Sequence, residues 1–174
     1  PLATWQVVAD PSAPSAPNAL ALTSSTHGSG DTFNLCWTDG TRFQDGILEL
    51  AFKAVSGDED QGGGPIWRVQ DLNNYYLCRM NPLEDNFRVY VVKDGARSQL
   101  KSVAAKVAPG TWHTIKIEQH GASIQCSLDG ERLLEAQDER IPGAGGVGLW
   151  TKADACTEFD AFTVVATAPE VSER

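Results

Sequence analysis

The stretch whose reading decides the fold is Gly62–Asn86, GGGPIWRVQDLNNYYLCRMNPLEDN. Three glycines interrupt the chain, Pro65 opens an extended run from Ile66 to Gln70, and Asp71 to Asn74 forms an Asx-rich turn. A second run, Tyr75 to Asn81, stops at Pro82, which has no N–H to give a strand ladder. Asx side chains close turns by bonding to their own backbone, so the segment predicts a β-hairpin with an Asn-rich loop.

Side chains alternate faces along a strand. Trp67 and Val69, with Tyr76, Cys78 and Met80, then make an apolar, core-like face. The opposite face carries Ile66, Arg68, Gln70, Tyr75, Leu77, Arg79 and Asn81. Two arginines, two amides and an aromatic ring on one side suit a polyhydroxylated ligand.

Outward from this hairpin the same grammar repeats. Towards the N-terminus, short alternating runs cover Trp5 to Ala9, Ala19 to Thr23, Thr32 to Thr38 and Ile47 to Val55, separated by Pro/Ser/Gly-rich or acidic loops. Towards the C-terminus, runs begin at Phe87, Gln99, Trp112, Ser123, Arg132, Val147 and Glu158. The pairs Asp94-Gly95 and Asp129-Gly130 are strong hairpin signals. About a dozen short strands without a sustained helical period predict an all-β sandwich or barrel. A helical turn fits only near Leu133–Glu139 or Ala153–Cys156. One domain over residues 1–168 is expected, with residues 169–174 a loose tail.

At 174 residues and 41% hydrophobic content the chain can bury a real core. A formal charge of −9 argues against nucleic acid or an anionic membrane as partner, since both need a basic surface. No apolar run approaches membrane-spanning length. Cys36, Cys78, Cys126 and Cys156 are widely spaced and form no C-x-x-C pair. Cys78 and Cys126 alternate with apolar neighbours and are expected as free buried thiols. The three histidines show no metal-ligand spacing, and no cofactor is expected.

The hairpin, together with VYVVKDG, PGTWHTIKIE, SIQCSLDGERLLEA and GGVGLWTKADACTEFDAF, resembles bacterial laminin-G-like domains of the concanavalin A-like lectin/glucanase superfamily. These are related to the 3-keto-disaccharide hydrolase, or family-sixteen glycoside-hydrolase-like, domains. The resemblance runs from Trp5 to Val165. It implies a two-sheet antiparallel jelly-roll sandwich that holds any ligand on a concave sheet. It also implies a secreted or periplasmic address.

Retaining glucanases of this fold project two glutamates from Glu-x-Asp-x-Glu or Glu-x-Asp-x-x-Glu on one strand, close enough for a nucleophile and an acid. The one Glu-x-Asp here, Glu158-Phe159-Asp160, is followed by Ala161, Phe162 and Thr163, so the second glutamate is missing. That excludes the glucanase reading. Arg68, Arg79, Asn81 and Lys152 are the candidate sugar-hydroxyl contacts, with Trp150 as a stacking platform. Arg68 and Arg79 are equally compatible with pairing to Glu49, Glu84 or Asp85 on a solvated face.

Calcium is the alternative ligand, through Asp58, Asp60 or Asp160, although no spaced calcium loop is present. The resulting expectation is a carbohydrate-binding, lectin-like domain. The alternative is an enzyme acting on 3-keto-glycosides, with Glu49 as base and Arg79 or Lys152 stabilising an oxyanion.

Overall fold

The fold is described from a computed structural model covering residues 3–25 and 32–167. The strands are β1 (Thr4–Ala9), β2 (Asn18–Ser24), β3 (Phe33–Phe43), β4 (Gly46–Ser56), β5 (Gly64–Asp71), β6 (Asn74–Asn81) and β7 (Asn86–Lys93). They continue as β8 (Ala96–Ala104), β9 (Trp112–His120), β10 (Ser123–Leu128), β11 (Glu131–Gln137), β12 (Gly145–Lys152) and β13 (Cys156–Ala166). They form a seven-stranded sheet, β1-β2-β13-β4-β9-β10-β11, and a six-stranded sheet, β3-β12-β5-β6-β7-β8. Neighbouring strands pair antiparallel throughout, which makes the molecule the jelly-roll sandwich that the alternation and turn signals imply. Leu133 lies in β11, and residues 153–155 form a tight turn, so neither stretch adopts a helical turn. The tail, residues 169–174, lies outside the described residues.

The turn chemistry acts as expected. Asp94 and Gly95 (φ 51° and 79°), like Asp129 and Gly130 (φ 49° and 83°), take the left-handed pair that two-residue hairpins require. In the central hairpin Asp71 Oδ1 accepts from the Asn73 N–H (2.7 Å) and from Asn74 Nδ2 (2.9 Å), closing β5 onto β6.

Two local departures change which way side chains point. Arg68 sits at φ 47° inside β5, and the β5–β6 register slips between Trp67 and Asp71. Such a bulge adds a residue on one strand, so the faces exchange beyond it. Arg68 turns inward beside Trp67, and Val69 turns outward. β12 runs against this bulge at close range, where a Cβ at Gly145 would stand 2.3 Å from the Arg68 carbonyl carbon. In β3 the strand continues past Thr38 to Phe43, where the sequence suggests a loop. The extra residues are absorbed in a register shift against Gly145–Val147.

The core lies between the sheets. Leu48, Leu50, Phe52, Ile115, Ile117, Ile124 and Cys126 face Trp67, Tyr76, Cys78, Met80, Phe87, Val89 and Leu149, all buried. Trp67 stacks on Tyr76 with ring centroids 5.8 Å apart, and its indole N–H donates to Gln119 Oε1 at 2.8 Å. Cys78 and Cys126 are fully buried and unbridged. A second apolar cluster, Ile66, Val69, Tyr75, Leu77, Tyr90, Val92 and Trp150, lies on the outward face of the six-stranded sheet, with Phe33, Leu35 and Trp37 packed against it.

Candidate functional site

That second cluster marks the face on which most of the residues singled out from the sequence come together. Strand alternation places Phe33, Leu35 and Trp37 of β3 beside Trp150 and Lys152 of β12. Ile66 of β5, then Tyr75, Leu77, Arg79 and Asn81 of β6, Arg88 and Tyr90 of β7, and Arg97 of β8 complete the row. The face is curved. β3 and β8 are opposite edges, roughly 24 Å apart across a flat sheet at normal strand spacing. Yet the Arg97 guanidinium lies only 5.2 Å from the Phe33 ring. The two edges therefore lean towards each other over a hollow floor. Gly148 lets β3 lie close on β12 here, because a Cβ would stand 2.5 Å from Trp37 Cβ.

One end of the hollow is polar. Arg79 is buried and donates to Asn86 Oδ1 (2.7 Å), Glu84 Oε2 (3.1 Å) and the Tyr90 hydroxyl (3.3 Å). Asn81 donates to Asp60 Oδ1 (2.8 Å) and accepts from the Leu83 N–H (2.9 Å), while Lys152 Nζ stands 3.4 Å from Asp60 Oδ2. Asp60 is only 2% exposed, and that Oδ2 makes no hydrogen bond. Desolvation raises its carboxyl above the ordinary value of 3.8, although the charges of Arg79 and Lys152 oppose the shift. For Glu84 burial also works against charge, but the Asn86 hydrogen bond and the Arg79 charge win and hold it below its ordinary value.

The other end is aromatic. The Arg97 guanidinium lies 4.6 Å from the Tyr90 ring, 5.2 Å from Phe33 and 5.8 Å from Trp150. Phe33 is tilted against Trp150 at 5.4 Å. Tyr75 lies beneath, and burial pushes its hydroxyl up to about 12, against the opposing influence of Trp150 and Arg97.

Four residues proposed from sequence, Arg79, Asn81, Trp150 and Lys152, thus meet on one face. Trp150 is fully buried there under Phe33 and Arg97, so it offers no free ring as a stacking platform. Phe33, Leu35 and Trp37 remain partly exposed in its place. Arg68 is elsewhere. The bulge aims it inward, 1% exposed, to donate to the Gln44, Ile141 and Gly121 carbonyls at 2.8 Å each, with Asp45 at 3.2 Å.

Glu49 is also elsewhere. It pairs across from Lys116 on the outer face of the seven-stranded sheet, in an open depression of about 460 Å³ shared with Glu118 and Arg132. The sandwich separates it from Arg79 and Lys152, so it cannot serve as their base. The calcium candidates do not converge either. Asp160 accepts from Ser15 N (2.6 Å), while the backbone N–H groups of Asp58 and Asp60 are held by Asp154. Among the described residues no group of three or more acidic, Cys or His side chains could hold a metal ion.

Residues 2–164 match the model of the 3-keto-alpha-glucoside-1,2-lyase-like domain. The chain belongs to that family. No curated protein matches the sequence. Among solved structures, the carbohydrate binding module CBM66 from Bacillus subtilis superposes with a TM-score of 0.73 at 20% identity, covering 92% of this chain and 89% of that one. A Bacillus subtilis protein of unknown function with a galectin-like fold gives 0.64 at 11% identity, covering 92% and 86%. The Bacteroides ovatus mixed linkage glucan GH16, solved with a product, gives 0.63 at 12% identity, covering 92% and 85%. At these identities the likeness is one of fold.

Sequence reasoning placed Tyr75 on this face but missed Phe33 and Arg97 as members of it. The alternation of Phe33, Leu35 and Trp37 was the available signal for the first. Nothing local marks Arg97.

Proposed function

We propose that this domain binds carbohydrate in the hollow of its six-stranded sheet. The observation that carries the reading is a single curved face that joins partly exposed Phe33, Leu35 and Trp37 to fixed polar groups, Arg79, Asn81, Lys152 and Glu84. Sugars need both parts: C–H-rich ring faces pack on apolar and aromatic surface, and hydroxyls need oriented donors and acceptors. The likeness in fold to a carbohydrate binding module supports the same reading.

A second reading is favoured by Asp60. Its buried carboxyl, shifted upward and with one oxygen unbonded, faces Lys152 and lies near Arg79. In a 3-keto-glycoside the ketone acidifies the C2–H. A base can remove that proton as the C2 electrons expel the C1 oxygen, which leaves as the alcohol once protonated, while a cation stabilises the enolate. Asp60 takes the role of base here, and Lys152 that of the cation.

Calorimetric titration with a panel of neutral and acidic oligosaccharides tests the first reading. Saturable binding that weakens in Phe33→Ala and Arg79→Ala, both checked for folding, supports it, and absence of binding to every glycan overturns it. Product analysis with 3-keto disaccharides tests the second. Turnover that is lost in Asp60→Asn and kept in Glu49→Gln supports it, whereas no turnover by the wild type removes it.

A further inference from the structure

Among the described residues seven buried side-chain polar atoms lack a hydrogen-bond partner, and three of them gather at the aromatic end of the hollow: Arg97 Nη1, Trp150 Nε1 and the Tyr75 hydroxyl. Trp150 Nε1 approaches the Tyr75 oxygen without reaching hydrogen-bond geometry. Buried polar groups are normally bonded, and leaving one unpaired costs about 1–3 kcal/mol. Three in one place, two of them on fully buried side chains, point to an absent partner.

The chemistry of that partner follows from the set. A guanidinium and an indole N–H can only donate, and a neutral phenol donates as well as accepts. Burial holds the Tyr75 phenol protonated far above neutral pH, so its O–H is available as a donor. The group that fits three neighbouring donors, one of them charged, is an anionic pair of oxygens.

Charge on the face agrees. Arg79, Arg88, Arg97 and Lys152 stand against two carboxylates, in a chain whose formal charge is −9. Both carboxylates are engaged: Glu84 lies 3.1 Å from Arg79 and 3.6 Å from Arg88, and Asp60 lies 3.4 Å from Lys152. Arg97 has no carboxylate partner among the described residues. Among those residues the aromatic rings of Tyr90, Phe33 and Trp150 hold it, and they orient the guanidinium without neutralising it.

We infer that the Arg97–Tyr75–Trp150 corner receives the carboxylate of an acidic sugar, so that the preferred ligand is a glycan containing uronic acid. This rests on the carbohydrate-binding reading. The carboxylate lies against the Arg97 fork, and the sugar ring extends over Phe33 and Trp37 towards Arg79 and Lys152.

The test is calorimetric titration of the full chain with galacturonate, glucuronate and mannuronate trisaccharides. Each is compared with the neutral trisaccharide obtained by reducing its carboxyl groups. At least one acidic member is expected to bind ten- to a hundredfold tighter than its reduced counterpart, the range of one or two charge-assisted hydrogen bonds. Arg97→Gln is expected to erase that preference and Arg97→Lys to restore part of it, because lysine keeps the charge and loses the fork. Arg97 is half-buried on an edge strand, so both variants are expected to melt near the wild type.

Equal affinity for acidic and reduced members, or binding of neutral glycans only, overturns the inference and leaves carbohydrate binding standing. An acidic preference that survives in Arg97→Gln also overturns it. Binding of no glycan at all removes both.

Discussion

Arg68 is the residue whose proposed role the structure reverses most completely, and its replacement gives the sharpest test of the fold argument. Its guanidinium donates to three loop carbonyls at 2.8 Å, those of Gln44, Ile141 and Gly121, and pairs with Asp45 at 3.2 Å, all from a position 1% exposed. Its Cζ also lies 5.9 Å from the Tyr76 ring. Arg68 thus ties the loops before β4, after β9 and before β12 to the end of the core.

Hydrogen bonds from a charged donor contribute about 1.5–3 kcal/mol each, and breaking one partner of a buried ion pair costs about 3–5 kcal/mol. Asp45 is 27% exposed and water reaches the freed loop carbonyls, so the loss falls well below the sum of these figures, near that of a single broken buried pair. Arg68→Ala is therefore expected to destabilise by about 4 kcal/mol, a large share of the roughly 5–15 kcal/mol typical of a domain. With a urea m-value of about 2 kcal/mol/M, that is a midpoint shift of about 2 M.

The backbone adds a second, independent signature. At φ 47° a side chain costs about 1 kcal/mol relative to glycine, so Arg68→Gly should be more stable than Arg68→Ala by about that amount. Inside an ordinary strand the order is the reverse, because glycine weakens the strand. Urea titrations followed by tryptophan fluorescence measure both differences. A midpoint shift below about 0.5 M for Arg68→Ala, or alanine proving more stable than glycine, would refute the bulge and its anchoring role.

Three further outcomes are expected. Asp154 accepts the N–H groups of Asp58, Glu59 and Asp60 at 2.8, 3.1 and 3.0 Å; burial opposes its charge, but these bonds outweigh it and lower its pKa from 3.8. Its stabilisation is complete above pH 3.8 and is lost as pH falls through the folded value, so Asp154→Asn should cost about 1–2 kcal/mol at pH 7 and almost nothing in strong acid, read from urea midpoints across pH. Gly148→Ala should cost about 2–3 kcal/mol in the same assay, since its Cβ would stand 2.3 Å from the Cys36 carbonyl oxygen and 2.5 Å from Trp37 Cβ. Burial and the neighbouring Cys126 push the Cys78 thiol well up, so a disulfide-exchange reagent at pH 8 should titrate no more than two thiols, Cys36 and Cys156, until denaturant exposes all four.

How far the sequence could be read depends on which rules are local. Strand positions were legible because alternation and Asx-Gly turns act within a few residues. The hairpin at Asp71–Asn74 and the turns at Asp94-Gly95 and Asp129-Gly130 stand where their chemistry requires. The assignment of faces fails at Arg68 because alternation assumes one residue per rung, and nothing in Trp67-Arg68-Val69 announces a bulge. The trace it leaves is remote: Gly145, where a Cβ would collide with the Arg68 and Val69 backbone, arrives more than seventy residues later.

Glu49 was correctly opposed to Leu48, Leu50 and Phe52, hence outward, but alternation does not say in which sheet a strand will lie. Only the β13-β4-β9 order puts it across the sandwich from the cations.

Asp60 shows the limit most clearly. In the run Asp58-Glu59-Asp60 it reads as one charge of a solvated loop. The loop is instead clamped by a carboxylate ninety-four residues away, at Asp154, and that clamp turns Asp60 inward against Asn81 and Lys152. A charge that reads as exposed is among those the fold takes most fully out of water. A buried carboxyl with an unbonded oxygen carries a cost in stability, and here it stands 3.4 Å from the Lys152 ammonium; under the 3-keto-glycoside reading proposed above, that cost is what supplies the base.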